Sequence, residues 1–199
     1  MNKSQKMIEN INVVAELVDV LDKNGNITGI SKSILKVHQD DSWHQASHVW
    51  VFNSEGEIIL QKRAEKGMYF PGLWDIPAAG QTSKGENPDE TAIRELYEEI
   101  GIKADSKKLK KIEVRKVSMN VPEKNYYNNE FDHIYLYKFN GNISELELQK
   151  REVDHIKFMP IDKFKLEIQD PELYKKYVPH GEYYFDIIRA IRKELNSKI

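Results

Sequence analysis

From His44 to Phe52 the residues Ala46, His48, Trp50 and Phe52 alternate with Gln45, Ser47, Val49 and Val51, the period of an extended strand with two different faces. After the turn NSEGE the pattern resumes from Ile58 to Arg63, which predicts a hairpin near the centre of the fold. Upstream, Val13 to Val20 and Ile27 to Leu35 are β-rich runs separated by DKNGN, whose Asn24-Gly25-Asn26 tolerates positive φ, so they predict a second hairpin. A polar link follows through Gln39 to Ser42. Further on, Lys111 to Met119 and Glu130 to Phe139 read as strands, the latter setting Phe131, His133, Tyr135, Tyr137 and Phe139 against Ile134 and Leu136. Another strand is expected near Val153 to Met159, closed by Pro160. The aromatic, proline- and glycine-rich stretch MYFPGLWDIPAAG has no helical period and predicts a structured loop walling a pocket.

One segment carries a strong helix-start signal. Asn87-Pro88-Asp89-Glu90 supplies an N-cap, a proline at the first helical position, acids at the positive end of the dipole and, through Glu90, a capping box. The helix runs to Gly101, a good residue for a left-handed stop, with Ala92, Ile93, Leu96, Tyr97 and Ile100 as the expected buried stripe. Glu172 to Tyr177 and Tyr183 to Leu195 also read as helical, the second through Phe185, Ile187, Ile188, Ile191 and Leu195. Strands feeding one capped helix, then more strands and terminal helices, imply an α/β protein: a mixed sheet covered on both faces. We expect a single domain over residues 11–199 behind a flexible segment, residues 1–10.

Composition narrows the chemistry. The 199 residues are 40% hydrophobic and 31% charged, as in a soluble domain. A net charge of −2 gives no electrostatic reason to expect nucleic acid or a polybasic membrane surface. A small, locally charged molecule is the expected partner. The chain has no cysteine, which removes disulfides, thiolate metal sites and cysteine nucleophiles together. No apolar run has the length of a secretion signal or a membrane span, so the expected location is cytoplasmic.

Glu95, Glu98 and Glu99 stand at i, i+3 and i+4 of the capped helix and therefore share one narrow sector beside its apolar stripe. Three anions so close call for a counter-charge, and an oxygen-only set suits Mg²⁺ or Mn²⁺ rather than zinc. Taken alone, such a patch on a glutamate-rich helix is usually a solvated face with ordinary i, i+4 pairs.

The flanks argue otherwise. Gly80, Glu86, Arg94, Glu95, Leu96, Glu98, Glu99, Gly101 and Ile102 fit G-x5-E-x7-R-E-U-x-E-E-x-G-U at every specified position, with U a bulky aliphatic residue. This resembles the Nudix box. Seven fixed residues, each with a background frequency of roughly 5–10%, coincide at a given start with a probability on the order of 10⁻⁸. The resemblance implies the Nudix α/β/α sandwich fold, a loop–helix–loop that binds magnesium, and cleavage of a nucleoside diphosphate linked to a further group. Carried over by position, Glu95, Glu98 and Glu99 become metal ligands, one of them orienting or deprotonating the attacking water, and the Gly80 carbonyl completes the shell. Glu86 and Arg94 become braces.

A second resemblance, spanning about His38 to Glu130, is to the Nudix-fold type that isomerises isopentenyl diphosphate. That isomerase needs a cysteine just before the box and a metal-binding histidine two residues later; this chain has Ala79 and Gln81 there. Proton transfer to an alkene carbon has lost its machinery, whereas the hydrolytic carboxylates are intact. The resemblance therefore implies a hydrolase of that branch acting on a small-molecule diphosphate, with an isomerase or a non-catalytic ligand sensor as the alternative readings. Glu130 matches a glutamate of the isomerase site and is either an additional catalytic acid or a surface glutamate at a strand entrance. His44 matches an isomerase metal position, but without a partner imidazole at Gln81 it is expected to pack or to touch substrate. His38, in a polar loop, is expected to be exposed. Lys62 and Arg63 end a strand beside the pocket loop, where they could grip a distal phosphate. Trp74 is expected to pack, Tyr69 and Phe70 are open to packing or stacking, and Tyr126 and Tyr127 are expected in an exposed loop. Whether two chains form a homodimer is open.

Overall fold

In a computed structural model of the chain, the described residues are 16–66, 70–121, 123 and 126–197. The segment expected to be flexible, the first residues of the Val13 run, and Met68 and Tyr69 of the aromatic loop lie outside them. The fold is of the α/β class, and its residues group into two compact units. Of the described residues, one unit holds those between 16 and 47, 80 and 91, and 113 and 133, and the other holds those between 48 and 79, 92 and 112, and 134 and 197.

In the first unit, β1 (Leu17–Leu21) and β2 (Ile27–Ser33) pair antiparallel, with Leu17 opposite Ser33 and Leu21 opposite Ile27. Gly25 takes φ +87° in the connecting turn, where Asp22 Oδ1 accepts the backbone N–H groups of Asn24 and Asn26. Ile34 and Leu35, expected to extend this strand, instead enter a short helix α1 (Ile34–Val37). Ser33 caps it, its hydroxyl accepting from Lys36 N, and the turn places Ile34 and Val37 with Val18 and Val20 in a small core. β3 (Trp43–Phe52) begins here, Leu21 pairing with Trp43, and Thr82 N donates to Gln45 O so that the box loop lies along the strand. Long strands β7 (Lys110–Val121) and β8 (Tyr126–Lys138) pair with each other. Tyr126 and Tyr127 therefore lie in a strand and are half-buried, not in an exposed loop. Their β-propensity outweighs the polar residues beside them.

In the second unit the end of β3 continues through Phe52 opposite Ile58 into β4 (Glu57–Arg63), which also pairs antiparallel with β5 (Trp74–Asp75) and β9 (Val153–Pro160). Alternate residues bury on opposite sides. Trp50, Ile58 and Leu60 pack with Phe164, Tyr184 and Ile187, whereas Val49, Val51 and Ile59 pack with Leu96 and Ile100. Each fully buried aliphatic side chain contributes about 1.5–3 kcal/mol by leaving water. The stretch expected to be a structured loop without helical period contains β5 and runs into a further short strand, β6 (Ala78–Gln81).

Helix α2 (Pro88–Ile100) has the expected cap: Asn87 Oδ1 accepts from Asp89 N and Glu90 N at 3.0 Å each, and Glu90 Oε2 accepts from Asn87 N at 3.0 Å. Asn87→Ala is expected to cost about 1 kcal/mol, read from the urea midpoint at unchanged slope. Gly101 stops the helix at φ +73°, and a Cβ there would sit 2.7 Å from Glu147 N, so both conformation and packing require glycine. The buried sector differs from the expected one: Ala92, Leu96 and Ile100 are buried, but Tyr97 is exposed. The helix is turned so that Glu95 and Glu99, on the other side of Leu96, take the inward place.

Beyond β9, Ile161–Gln169 forms helix α3 with Ile161, Phe164 and Ile168 inward. Helix α4 covers only Pro171–Tyr174, so the expected helix from Glu172 to Tyr177 is cut short at its end. Asp170 caps it, accepting from Glu172 N and Leu173 N. Helix α5 (Tyr183–Asn196) follows the expected amphipathic pattern. No helix among the described residues is long and apolar enough to cross a membrane.

Candidate functional site

The second unit assembles the box carboxylates. Arg94 Nη1 lies 2.6 Å from Glu95 Oε1 and 3.1 Å from Glu98 Oε2, so one guanidinium spans two of the three acids. Glu99 is 3% exposed, with Oε1 accepting from Ala79 N at 2.9 Å and Oε2 accepting from Gln61 Nε2 at 2.8 Å. Glu98 is the one that solvent reaches, its side chain 46% exposed. Burial, helped by the charges of Glu98 and Glu152 and opposed by Arg94, pushes the Glu95 carboxyl up to about 7. Burial also lifts Glu99 well above the usual range, with Glu95 and Glu152 adding to it and the Ala79 and Gln61 hydrogen bonds opposing.

Two contributors escaped the sequence reading. Gln61 stands on β4 at a position where Ile59 two residues earlier is fully buried, so a polar group in an apolar alternation was the available signal. Glu152 gave none, because only the fold brings it near. Gln149 N donates to Glu99 O, Glu152 N to Gln149 O, and Ala64 N to Glu152 O, which fastens this turn between the end of α2 and the end of β4.

The patch fits a hard divalent cation. Ionising all three carboxyls needs more positive charge than Arg94 offers, every donor is oxygen, and Gln61 Oε1 is buried beside Glu99 with no hydrogen-bond partner. Glu95, Glu98 and Glu99 are the residues of this unit that would hold it.

The first unit holds a different cluster. His44 is fully buried, its Nε2 3.3 Å from Glu130 Oε1, and neither ring nitrogen makes a hydrogen bond. Glu130 is 7% exposed and accepts from Gln81 Nε2 at 2.7 Å and Asn128 Nδ2 at 2.6 Å, so it is not a surface glutamate. His38, expected in solvent, is half-buried with its ring 5.1 Å from those of His44 and Tyr126. It lies at the end of α1, whose turn carries it inward. Burial, then the His44 charge, pulls the His38 imidazole below its usual value against the pull of Glu130 and Asn128. His38, His44 and Glu130 offer three ligand atoms within 4.8 Å of one another. In the same unit burial and Glu130 push Asp132 up to about 8, with Arg115 opposing. Gly80 belongs to this unit, as does Glu86, which accepts from Thr91 Oγ1 at 2.9 Å and Ser83 N at 3.2 Å and so ties the box loop to the first turn of α2.

The remaining residues lie in the second unit. Arg63 pairs with Asp75 at 2.8 Å, and His180 Nε2 lies 2.8 Å from the other Asp75 oxygen. Burial pushes Asp75 up, but His180 and Arg63 outweigh it and hold the carboxyl below its usual range. Lys62 lies 3.7 Å from Glu65. Trp74 packs against the core as expected and carries Lys157 Nζ 3.7 Å above its ring. Phe70 is exposed, whereas His48 meets Tyr183 OH at 3.2 Å.

A model of the NUDIX domain matches residues 42–180. Nudix hydrolase 3 of Arabidopsis thaliana is 38% identical over 190 residues, which is 92% of this chain but 24% of that protein, so the chain spans about a quarter of its length. An isopentenyl-diphosphate Delta-isomerase of Serratia proteamaculans is 33% identical over 126 residues, 63% of this chain and 68% of that one. The crystal structure of DR0079 from Deinococcus radiodurans superposes with a TM-score of 0.60 at 15% identity, covering 88% of this chain and 98% of that one, a likeness of fold.

Proposed function

The chain belongs to the Nudix family, and on that premise we propose that it is a Mg²⁺- or Mn²⁺-dependent hydrolase that splits the diphosphate linkage of a nucleoside diphosphate derivative or nucleoside triphosphate. The observation that carries this reading is the convergence of Glu95, Glu98 and Glu99 about Arg94 and Gln61. A divalent cation held there would offset charge developing on phosphorus and the leaving phosphate and make water more acidic.

The chain's own groups have distinct tasks. Arg94 holds Glu95 and Glu98 in register. Ala79 N and Gln61 fix both oxygens of Glu99. Glu95 and Glu98 are the candidates for handling the proton of the attacking water. Two acids outside the box qualify as a further catalytic group: Glu130, buried beside His44, and Glu152, whose charge acts on Glu95 and Glu99. By the box pattern the Gly80 carbonyl would be a further oxygen donor and Glu86 would brace its loop, while Lys62 and Arg63 would grip a distal phosphate and His44 would orient substrate. Arg63 suits that role because Asp75 holds its planar fork in one orientation.

The isomerase reading lacks two of its groups. At position 79 stands an alanine whose backbone N–H serves Glu99, and at 81 a glutamine amide that donates to Glu130. Incubation with nucleotide sugars, dinucleotides, coenzyme A, thiamine diphosphate and nucleoside di- and triphosphates, with Mg²⁺ or Mn²⁺ and product identification, tests the proposal. Two phosphorylated products, or phosphate release, from at least one class is the expected result. Binding throughout without turnover would favour the ligand sensor, and an alkene shift in isopentenyl diphosphate would favour the isomerase; either result overturns the hydrolase.

A further inference from the structure

In the second unit, a cavity of about 560 Å³ is lined by Lys107, Lys108, Lys110 and Lys138, with Glu194 as its one acidic residue. Lys107 and Lys108 come from the 3₁₀ turn Ser106–Lys108, Lys110 from the start of β7, Lys138 from the end of β8 and Glu194 from α5. Four separate elements thus deliver ammonium or carboxylate groups to one concavity. Glu194 is taken by Lys110, with which it pairs. Among the described residues, Lys107, Lys108 and Lys138 have no carboxylate partner.

Three unpaired cations around a concave surface repel one another, and the low-dielectric wall concentrates their field instead of letting water disperse it. The floor is apolar: Phe52 and Leu136 are buried and Leu109 is half-buried. The volume lies in the range of small-molecule sites, while a net charge of −2 for the whole chain speaks against an extended nucleic-acid surface. Three point-charge donors, two from the 3₁₀ turn and one from the end of β8, match an anion with several phosphate oxygens, which can meet each ammonium separately.

We propose that this cavity is a second ligand site that takes a small molecule bearing a di- or triphosphate group, and that it does so without a divalent cation. None of its lining residues belongs to the carboxylate patch, whose own charge repels free polyphosphate. The site is therefore independent of the hydrolytic reading.

The test is titration of the full chain with sodium tripolyphosphate in EDTA, where hydrolysis is silent, followed by calorimetry and by backbone amide shifts. Saturable binding is expected, with shifts concentrated at residues 107–110 and 136–140 and affinity falling as salt rises. Lys107→Ala with Lys138→Ala is expected to weaken binding at least tenfold, and Glu98→Gln to leave it unchanged. Absence of saturable binding, equal binding by the double variant, or loss of binding in Glu98→Gln would each overturn the site. If the double variant does not fold, the wild-type shift map decides alone, and shifts centred away from these residues refute the proposal.

Discussion

Glu98→Gln is expected to lower kcat/KM at least about a hundredfold while leaving the unfolding midpoint nearly where it was. The side chain is 46% exposed and its ion pair to Arg94 at 3.1 Å is largely screened, so little stability depends on it. Its charge, by contrast, belongs to the set that draws a divalent cation onto the diphosphate, and losing transition-state charge stabilisation of several kcal/mol corresponds to two or more orders of magnitude in rate. Steady-state kinetics on the substrate found in the nucleotide screen, with Mn²⁺ binding followed in parallel, checks both halves. Turnover within threefold of the parent, with cation uptake intact, would remove the carboxylate patch from the reaction. Glu130→Gln and Glu152→Gln then separate the two acids outside the box. A fall in kcat at unchanged KM marks the one that acts in the transition state.

Much of the site was legible before any coordinates because its information is local. The cap at Asn87, the spacing of Glu95, Glu98 and Glu99, and the stop at Gly101 all lie within one helix, where period and propensity act over three or four residues. What the sequence hid depends on contacts distant along the chain. Glu152 meets the box only because Gln149 N bonds the end of α2, and His38 comes inward only because Ile34–Val37 closes into a helical turn where β-branched and aliphatic residues suggested strand. Tyr97 shows the same limit in reverse. An apolar residue next to the stripe reads as core, but the buried places on that side of the helix go to two glutamates, which apolar patterning scores as surface.

Those buried glutamates are expected to make the metal-free protein lose stability as the pH rises. Glu95 begins from a carboxylate value of 4.5 and reaches about 7 in the folded chain. Between those values the folded state holds a proton that the unfolded state has released, so the unfolding free energy falls with increasing pH, by about 3 kcal/mol from this group once both states are ionised. Glu99, raised in the same direction by burial and by Glu95, steepens the fall. His38 works the other way, because its imidazole is held below the unfolded value and favours folding as pH rises. Urea unfolding in EDTA at pH 5, 6, 7 and 8, for the parent and for Glu95→Gln, isolates the carboxyl contribution as the difference between the two curves. The parent is expected to lose stability relative to the variant across that window, and Mg²⁺ or Mn²⁺ is expected to restore it at pH 8 and have little effect at pH 5, where protons already occupy the carboxyls. For a chain of this length 3 kcal/mol corresponds to a shift in Tm of roughly 6–12 °C, well above the scatter of a melting curve. A parent whose stability relative to Glu95→Gln stays flat from pH 5 to 8 would mean that Glu95 ionises freely in the folded protein, and the need for a cation among these acids would disappear with it.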